Sequence, residues 1–132
     1  MATYNVMVPG DDKVGTPAGF VLFAISEFEK QCTAVIAAYG AGAPTQPRNV
    51  RLVRLVKLLA LLLEQFLCIH PYANGNGHAG RVLVLVLMVR NGFNPVRWHI
   101  DESPPYHAAL KAHRRGKPQD LEKLLLRAIT GP

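Results

Sequence analysis

The chain has 132 residues, enough for one domain with its own core and too few for two ordinary ones. Its composition, 49% hydrophobic and 18% charged, argues for a folded globular body and against disorder, and a formal net charge of +6 favours anionic partners without choosing among nucleotides, phosphorylated groups, nucleic acid and acidic protein surfaces. The longest wholly apolar run, Val82 to Val89, falls far short of the roughly 20 residues of a membrane span, and no signal core stands near the start, so a cytoplasmic protein with no membrane partner is expected, with delivery into another cell left open.

Residues 3–8 alternate in a strand-like way, Pro9 to Asp12 reads as a turn, and Lys13 to Pro17 returns, which predicts a short N-terminal β-hairpin or flap over residues 1–17. From Ala18 to Tyr39 the positions Phe20, Phe23, Ala24, Phe28, Val35 and Ile36 follow helical spacing, and Gly40 to Pro44 ends the element ahead of a loop that runs through Pro47. Asn49 is placed to cap the next helix, whose stripe is Leu52, Leu55, Val56, Leu59, Leu62, Leu63 and Phe66. Pro71 disfavours helical geometry at His70, so that helix should stop there. His78 to Arg90 is apolar nearly all round, which predicts a helix in the middle of a bundle, with Asn91-Gly92 as its C-cap. Phe93 to Asp101 is irregular or briefly extended, Pro104-Pro105 opens a helix to about Arg115, and Pro118 opens a last one through Ile129. The whole is read as a single all-α domain, residues 1–132, of about five helices.

Cys32 and Cys68 sit in apolar helical patterns without CxxC spacing and read as two buried thiols in a reducing compartment. A nucleophile pair of Cys68 with His70 is disfavoured, because residues two apart on a helix face different ways. Two basic groups, Arg51, Arg54 and Lys57, then Lys111, Arg114, Arg115 and Lys117, read as solvated helix faces; they lack the interleaved aromatics of a nucleic-acid surface, so a nucleic-acid partner is not expected. Trp98 and Phe93 read as packing residues.

The stretch from His70 to Arg81 carries the chemistry. His70, titrating near neutral pH, can take a proton from a hydroxyl. Gly75 and Gly77 permit positive φ and let amides approach an oxyanion without a Cβ in the way. Asn76 can donate to a phosphate or cap the following helix, and Arg81, one turn on, can fork onto terminal phosphates. Gly75 to Gly80 also fits GxGxxG, with Asp101 about 20 residues later after a possible strand from Val96 to Ile100, yet a long helical pattern rather than a strand precedes the first glycine. His70 and His78, taken with His99, His107 or His113, show no metal-site spacing.

HPYANGNGHAGR resembles the signature of the Fic (Fic/Doc) family, usually written HPFx(D/E)GNGRxxR; His70, Pro71, Gly75, Asn76, Gly77 and Arg81 match at the same spacing and Tyr72 replaces the phenylalanine. The likeness extends more weakly over most of the chain, including Tyr106 to Ile129. It implies a protein adenylyltransferase: ATP along the loop, AMP moved to a Ser, Thr or Tyr hydroxyl of a target protein, and pyrophosphate released. On that resemblance His70 is the base, the Gly75-Asn76-Gly77 amides bind the anion, and Arg81 holds the β- or γ-phosphate. Pro71 and Tyr72 would anchor the loop, and residues 3–17 would align the target segment. Some relatives transfer phosphate or another nucleotide.

Two positions depart from the pattern. Asn74 stands where the family has the acidic residue that orients Mg2+, and its neutral carbonyl attracts a hard cation less. His78 replaces the first arginine and cannot make a bidentate fork. Metal affinity or rate should suffer, and the alternative is a degenerate Fic-like module that binds nucleotide or a partner without efficient transfer. The family's inhibitory Ser/Thr-x-x-x-Glu-Gly/Asn motif has no match after Ser26, Thr33 or Thr45. An antitoxin-like partner, a segment outside this chain, or a different form of control is then expected. The start so close to the flap suits a piece of a longer protein.

Overall fold

A computed structural model describes residues 18–69, 75–98, 100–101 and 103–131. Among them are five α-helices and no strand: α1 (Val21–Gly42), α2 (Arg48–Ile69), α3 (Asn76–Arg90), α4 (Pro104–Arg114) and α5 (Gln119–Thr130), with 3-10 turns at Ala18–Phe20 and Ala43–Thr45. The expected hairpin over residues 1–17 lies outside the described residues.

The centre of the bundle is α2, which packs against α1, α3, α4 and α5. Leu55, Val56, Leu59, Leu62, Leu63, Phe66 and Leu67 are all buried, with Ala60 between them, so most sides of its middle and C-terminal turns meet another helix. Phe28 of α1 meets Phe66 with ring centroids 5.8 Å apart. The expectation that α3 takes the middle is corrected. Gly80, Val84 and Met88 face inward at four-residue steps, whereas Val82, Val86 and Val89 are over 40% exposed. Valine content alone could not separate the two faces of α3; position relative to Gly80 does. The stripe assigned to the start of α1 is corrected too, since Phe20 and Phe23 are exposed and Val21 is buried.

The helix ends follow local chemistry. α1 continues past Tyr39 to Gly42, where a 3-10 turn takes over that contains Pro44, a residue with no N–H to extend the α-helical ladder. α2 begins at Arg48, and the Pro47 carbonyl accepts its first bond from the Arg51 N–H at 3.0 Å. Asn49 is therefore inside the helix and is not its cap. The end of α3 is as expected: Asn91 caps it, Gly92 has φ +88°, the Phe93 N–H reaches Met88 O at 3.0 Å, and the Asn91 side-chain amide donates to Leu87 O at 2.6 Å. Pro104 and Pro105 open α4, and Gly116 closes it in the same left-handed manner before α5. Residues 96–97 form no strand; their N–H groups donate to the Ala128 carbonyl at the end of α5.

Candidate functional site

The described chain leaves α2 at Ile69 and resumes at Gly75. Four of the sequence-predicted site residues, His70, Pro71, Tyr72 and Asn74, lie outside the described residues, and the structure describes the two helices that flank them in the chain.

On the α3 side the geometry is explicit. Gly75 stands at the N-cap with φ +79° and ψ 13°, a left-handed conformation that only glycine adopts cheaply. The first helical bond is Ala79 N–H to Gly75 C=O at 2.9 Å, so the amides of Asn76, Gly77 and His78 lie ahead of the helix ladder at the positive end of the dipole. No acidic residue stands in that first turn, and Gly75 itself has no side chain to cap it. Two expectations change here. Gly77 has ordinary helical backbone rather than positive φ, and Asn76 is the first helical residue, buried, rather than the cap. His78 is exposed and Arg81 half-buried.

A residue that the sequence reading used only within GxGxxG turns out to set the spacing. A Cβ on Gly80 would meet Leu63 Cδ1 at 3.0 Å, Phe66 Cδ1 at 3.3 Å and Leu67 Cδ2 at 3.5 Å, so α3 approaches the last turns of α2 to a distance that admits little more than hydrogen. The signal was available: a glycine four residues after Asn76 and four before Val84 lies on the buried stripe.

A second missed feature lies on the other side of α2. Glu64, alone among leucines, is buried, and its Oε1 accepts from Arg114 Nε of α4 at 2.6 Å and from the Cys68 thiol at 2.9 Å. Burial and the neighbouring carboxylate push the Cys68 thiol up to about 12, which leaves no thiolate for nucleophilic attack near neutral pH. Both cysteines are free and half-buried rather than fully buried. Arg114 is not on a solvated face, and neither is Arg54, which lies over the Tyr39 ring and donates to Gln46 Oε1. Arg48 and Arg51 stack on the buried Phe93 ring, with the Arg48 guanidinium 4.4 Å from its centroid. An open cleft of about 520 Å3 between α1 and α2, lined by Phe28, Gln31, Glu64 and Ile69 among others, leads up to the last residue before His70.

No group of three His, Cys, Asp or Glu side chains is placed to hold a metal ion among the described residues, and no helix there is long and apolar enough to cross a membrane. The protein adenylyltransferases fic-1 of Caenorhabditis briggsae and Caenorhabditis elegans are each 33% identical to this chain over 52 residues. That stretch is 39% of this chain and 10% of either relative, so the chain spans about a tenth of their length. No solved structure shows a significant match. A family model described as Fic/DOC family matches residues 16–88, more than half of the chain, running from the start of α1 through the whole loop and nearly to the end of α3. By that match the chain belongs to the Fic/DOC family.

Proposed function

We propose that this chain is the catalytic domain of a protein adenylyltransferase. The observation that carries the reading is the junction between α2 and α3. One helix ends a single residue before His70, and the next starts from a left-handed Gly75 with its leading amides clear of the ladder and no acidic side chain in its first turn. Such a start favours an anion. Family membership and the likeness to adenylyltransferases named fic-1 support a nucleotide as that anion.

In this reading the Asn76, Gly77 and His78 amides and the Arg81 guanidinium hold the phosphates of ATP, and His70 takes the proton from a Ser, Thr or Tyr hydroxyl of a target protein. The hydroxyl oxygen bonds to the α-phosphorus, the bond from that phosphorus to the bridging oxygen of the β-phosphate breaks, and pyrophosphate leaves. Mg2+ enters as part of the nucleotide substrate. With Asn74 in the loop and no carboxylate in the first turn of α3, these two positions offer the ion a neutral carbonyl rather than a carboxylate. That same lack, with the exposed His78 in place of a forked cation, favours the second reading, a module that binds nucleotide or a partner without efficient transfer. Control by an antitoxin-like partner, and a cytoplasmic setting, belong to the proposal as well.

ATP labelled in turn at the α- and γ-phosphate, supplied with Mg2+ and candidate target proteins, separates these readings. Transfer of the α-label that disappears in His70→Ala is the expected result. Transfer of the γ-label would make the protein a phosphotransferase, and nucleotide binding with no transfer would make it the module.

A further inference from the structure

The start of α2 carries positive charge where a helix favours it least. Arg48, its first residue, is followed by Arg51 and Arg54 at three-residue steps, and its first turn has no acidic residue. Cations at a helix N-terminus oppose the dipole, and like charges on one helix flank repel each other. No Asp or Glu occurs between Glu29 and Glu64 to offset them. Among the described residues the ion pairs are Lys30 with Glu27, Lys57 with Glu122 and Arg114 with Glu64, so none of these three arginines has a carboxylate. The fold holds their guanidiniums on rings instead. Arg48 and Arg51 lie 4.4 and 5.9 Å from the centroid of Phe93, Arg54 lies 5.7 Å from that of Tyr39, and both rings are buried. Stacking takes up the face of a guanidinium and leaves the N–H groups of its edge, the geometry that forks onto a carboxylate. The Arg54 guanidinium is steadied further by its bond to Gln46 Oε1.

The same turns expose apolar surface. Val50, four residues before Arg54 and on the same side of the helix, is 41% exposed, and Val53 is 46% exposed. Val53 opens onto a groove of about 250 Å3 between α2 and α5, walled by Val56 and Leu126 and rimmed by Lys57 and Lys123. Glu122, the one carboxylate in that lining, is already taken by Lys57 at 3.6 Å. Oriented cations beside exposed apolar side chains fit an amphipathic partner that carries carboxylates. A nucleic-acid strand would want rings on which bases stack, and the two rings here are buried. A lipid surface takes up Trp, Phe and Leu, whereas this face exposes two valines.

We propose that the first turns of α2, together with the α2–α5 groove, dock an acidic amphipathic segment of a partner protein. Arg48, Arg51 and Arg54 fork its carboxylates, and one of its apolar side chains sits at Val53. The helix has 22 residues, about 33 Å of length, and the signature loop follows its other end, so this surface is separate from the nucleotide site. The inference therefore stands whether or not the chain transfers a nucleotide.

The test is fluorescence anisotropy of the full chain with a labelled peptide of four helical turns, about 14 residues, built from Glu and Leu with the leucines in one stripe. A peptide with Gln for every Glu is the control. Two triple variants are compared: Arg48→Gln with Arg51→Gln and Arg54→Gln, and Lys111→Gln with Arg115→Gln and Lys117→Gln, which removes the same charge from exposed positions elsewhere. The Glu peptide should bind the parent chain at least about 10-fold more tightly than the Gln peptide, and the first triple should weaken it by about 10-fold or more while the second stays within about twofold. Should the first triple fail to fold, Val53→Glu takes its place, since it sets a carboxylate at an exposed position and should weaken the Glu peptide by a similar factor. No binding of the Glu peptide overturns the proposal, as does an equal loss in the two triples or a Val53→Glu chain that binds like the parent. Tighter binding of a single-stranded oligothymidylate, or of vesicles containing phosphatidylserine, that is lost in the first triple also overturns it, and gives the surface to nucleic acid or to a membrane.

Discussion

The two ends of α3 are built from the same kind of residue and finished in opposite ways. Each has a glycine with φ near +80 to +90°, Gly75 before the helix and Gly92 after it. At the C-terminal end every device is used: the 6→1 bond from Phe93, the side-chain bond from Asn91, the buried Phe93 ring and the guanidinium of Arg48 laid over it. At the N-terminal end the cap is Gly75, which has no side chain to give, and the first turn holds no acidic residue. A helix end closed by a C-cap motif serves the fold, whereas a start with its amides ahead of the ladder and no acidic residue in its first turn suits an anion.

The largest expected effect attacks the finished end. Phe93→Ala removes a fully buried ring and the platform for Arg48 and Arg51, and should cost about 3–5 kcal/mol, read as a lower midpoint in urea unfolding. A loss under about 1 kcal/mol would mean that this end is not the anchor described here. Gly80→Ala comes next. The added methyl needs the Leu63 and Phe66 side chains to give way where α2 and α3 approach, at an expected cost of about 1–3 kcal/mol. Nucleotide binding should weaken along with stability, because that contact sets the width of the loop's footing.

The direct comparison is Gly75→Ala against Gly92→Ala. Nothing stands within 4 Å of an added Cβ at either site, so both pay only the conformational cost of the left-handed region, about 1–2 kcal/mol each. Stability should therefore fall alike in the two variants, while ATP affinity by calorimetry should fall in Gly75→Ala only. Equal affinities would remove the distinction between the two ends.

How much of this was legible depends on the period of the signal. The α2 stripe, the Asn91-Gly92 stop and the paired prolines of α4 are local patterns, and they place their helices to within a residue or two. The middle of the bundle was not legible in that way, because the Val/Leu run of α3 is apolar on both its buried and its exposed faces, and only its packing partner distinguishes them. The Glu64–Arg114 pair was hidden for a different reason. A contact between residues 50 apart leaves no periodic trace, and Arg114 sits among Lys111, Arg115 and Lys117, where it reads as one more surface cation. Within the loop, the signature was plain in the residues themselves, but which amides lead the helix was not: the left-handed turn falls at Gly75 alone, which moves Asn76 from cap to first helical residue and Gly77 into the first turn.

The smallest expected effects come from His78, and their opposite signs make them informative. His78 is exposed in the first turn of α3, so His78→Glu sets a carboxylate near the positive end of the dipole and should stabilise the helix by about 0.3–1 kcal/mol. The same charge should repel a phosphate, so ATP affinity should drop as thermal stability rises. His78→Arg should do the reverse, with a slightly lower melting temperature and tighter nucleotide binding, and paired with Asn74→Glu it should raise transfer by restoring the two positions where this chain departs from its family. A site whose stability and affinity move in opposite directions is one where the protein and a ligand compete for the same end of the helix. Were both His78 variants to move stability and affinity in the same direction, the N-terminal end of α3 would be as finished as its other end.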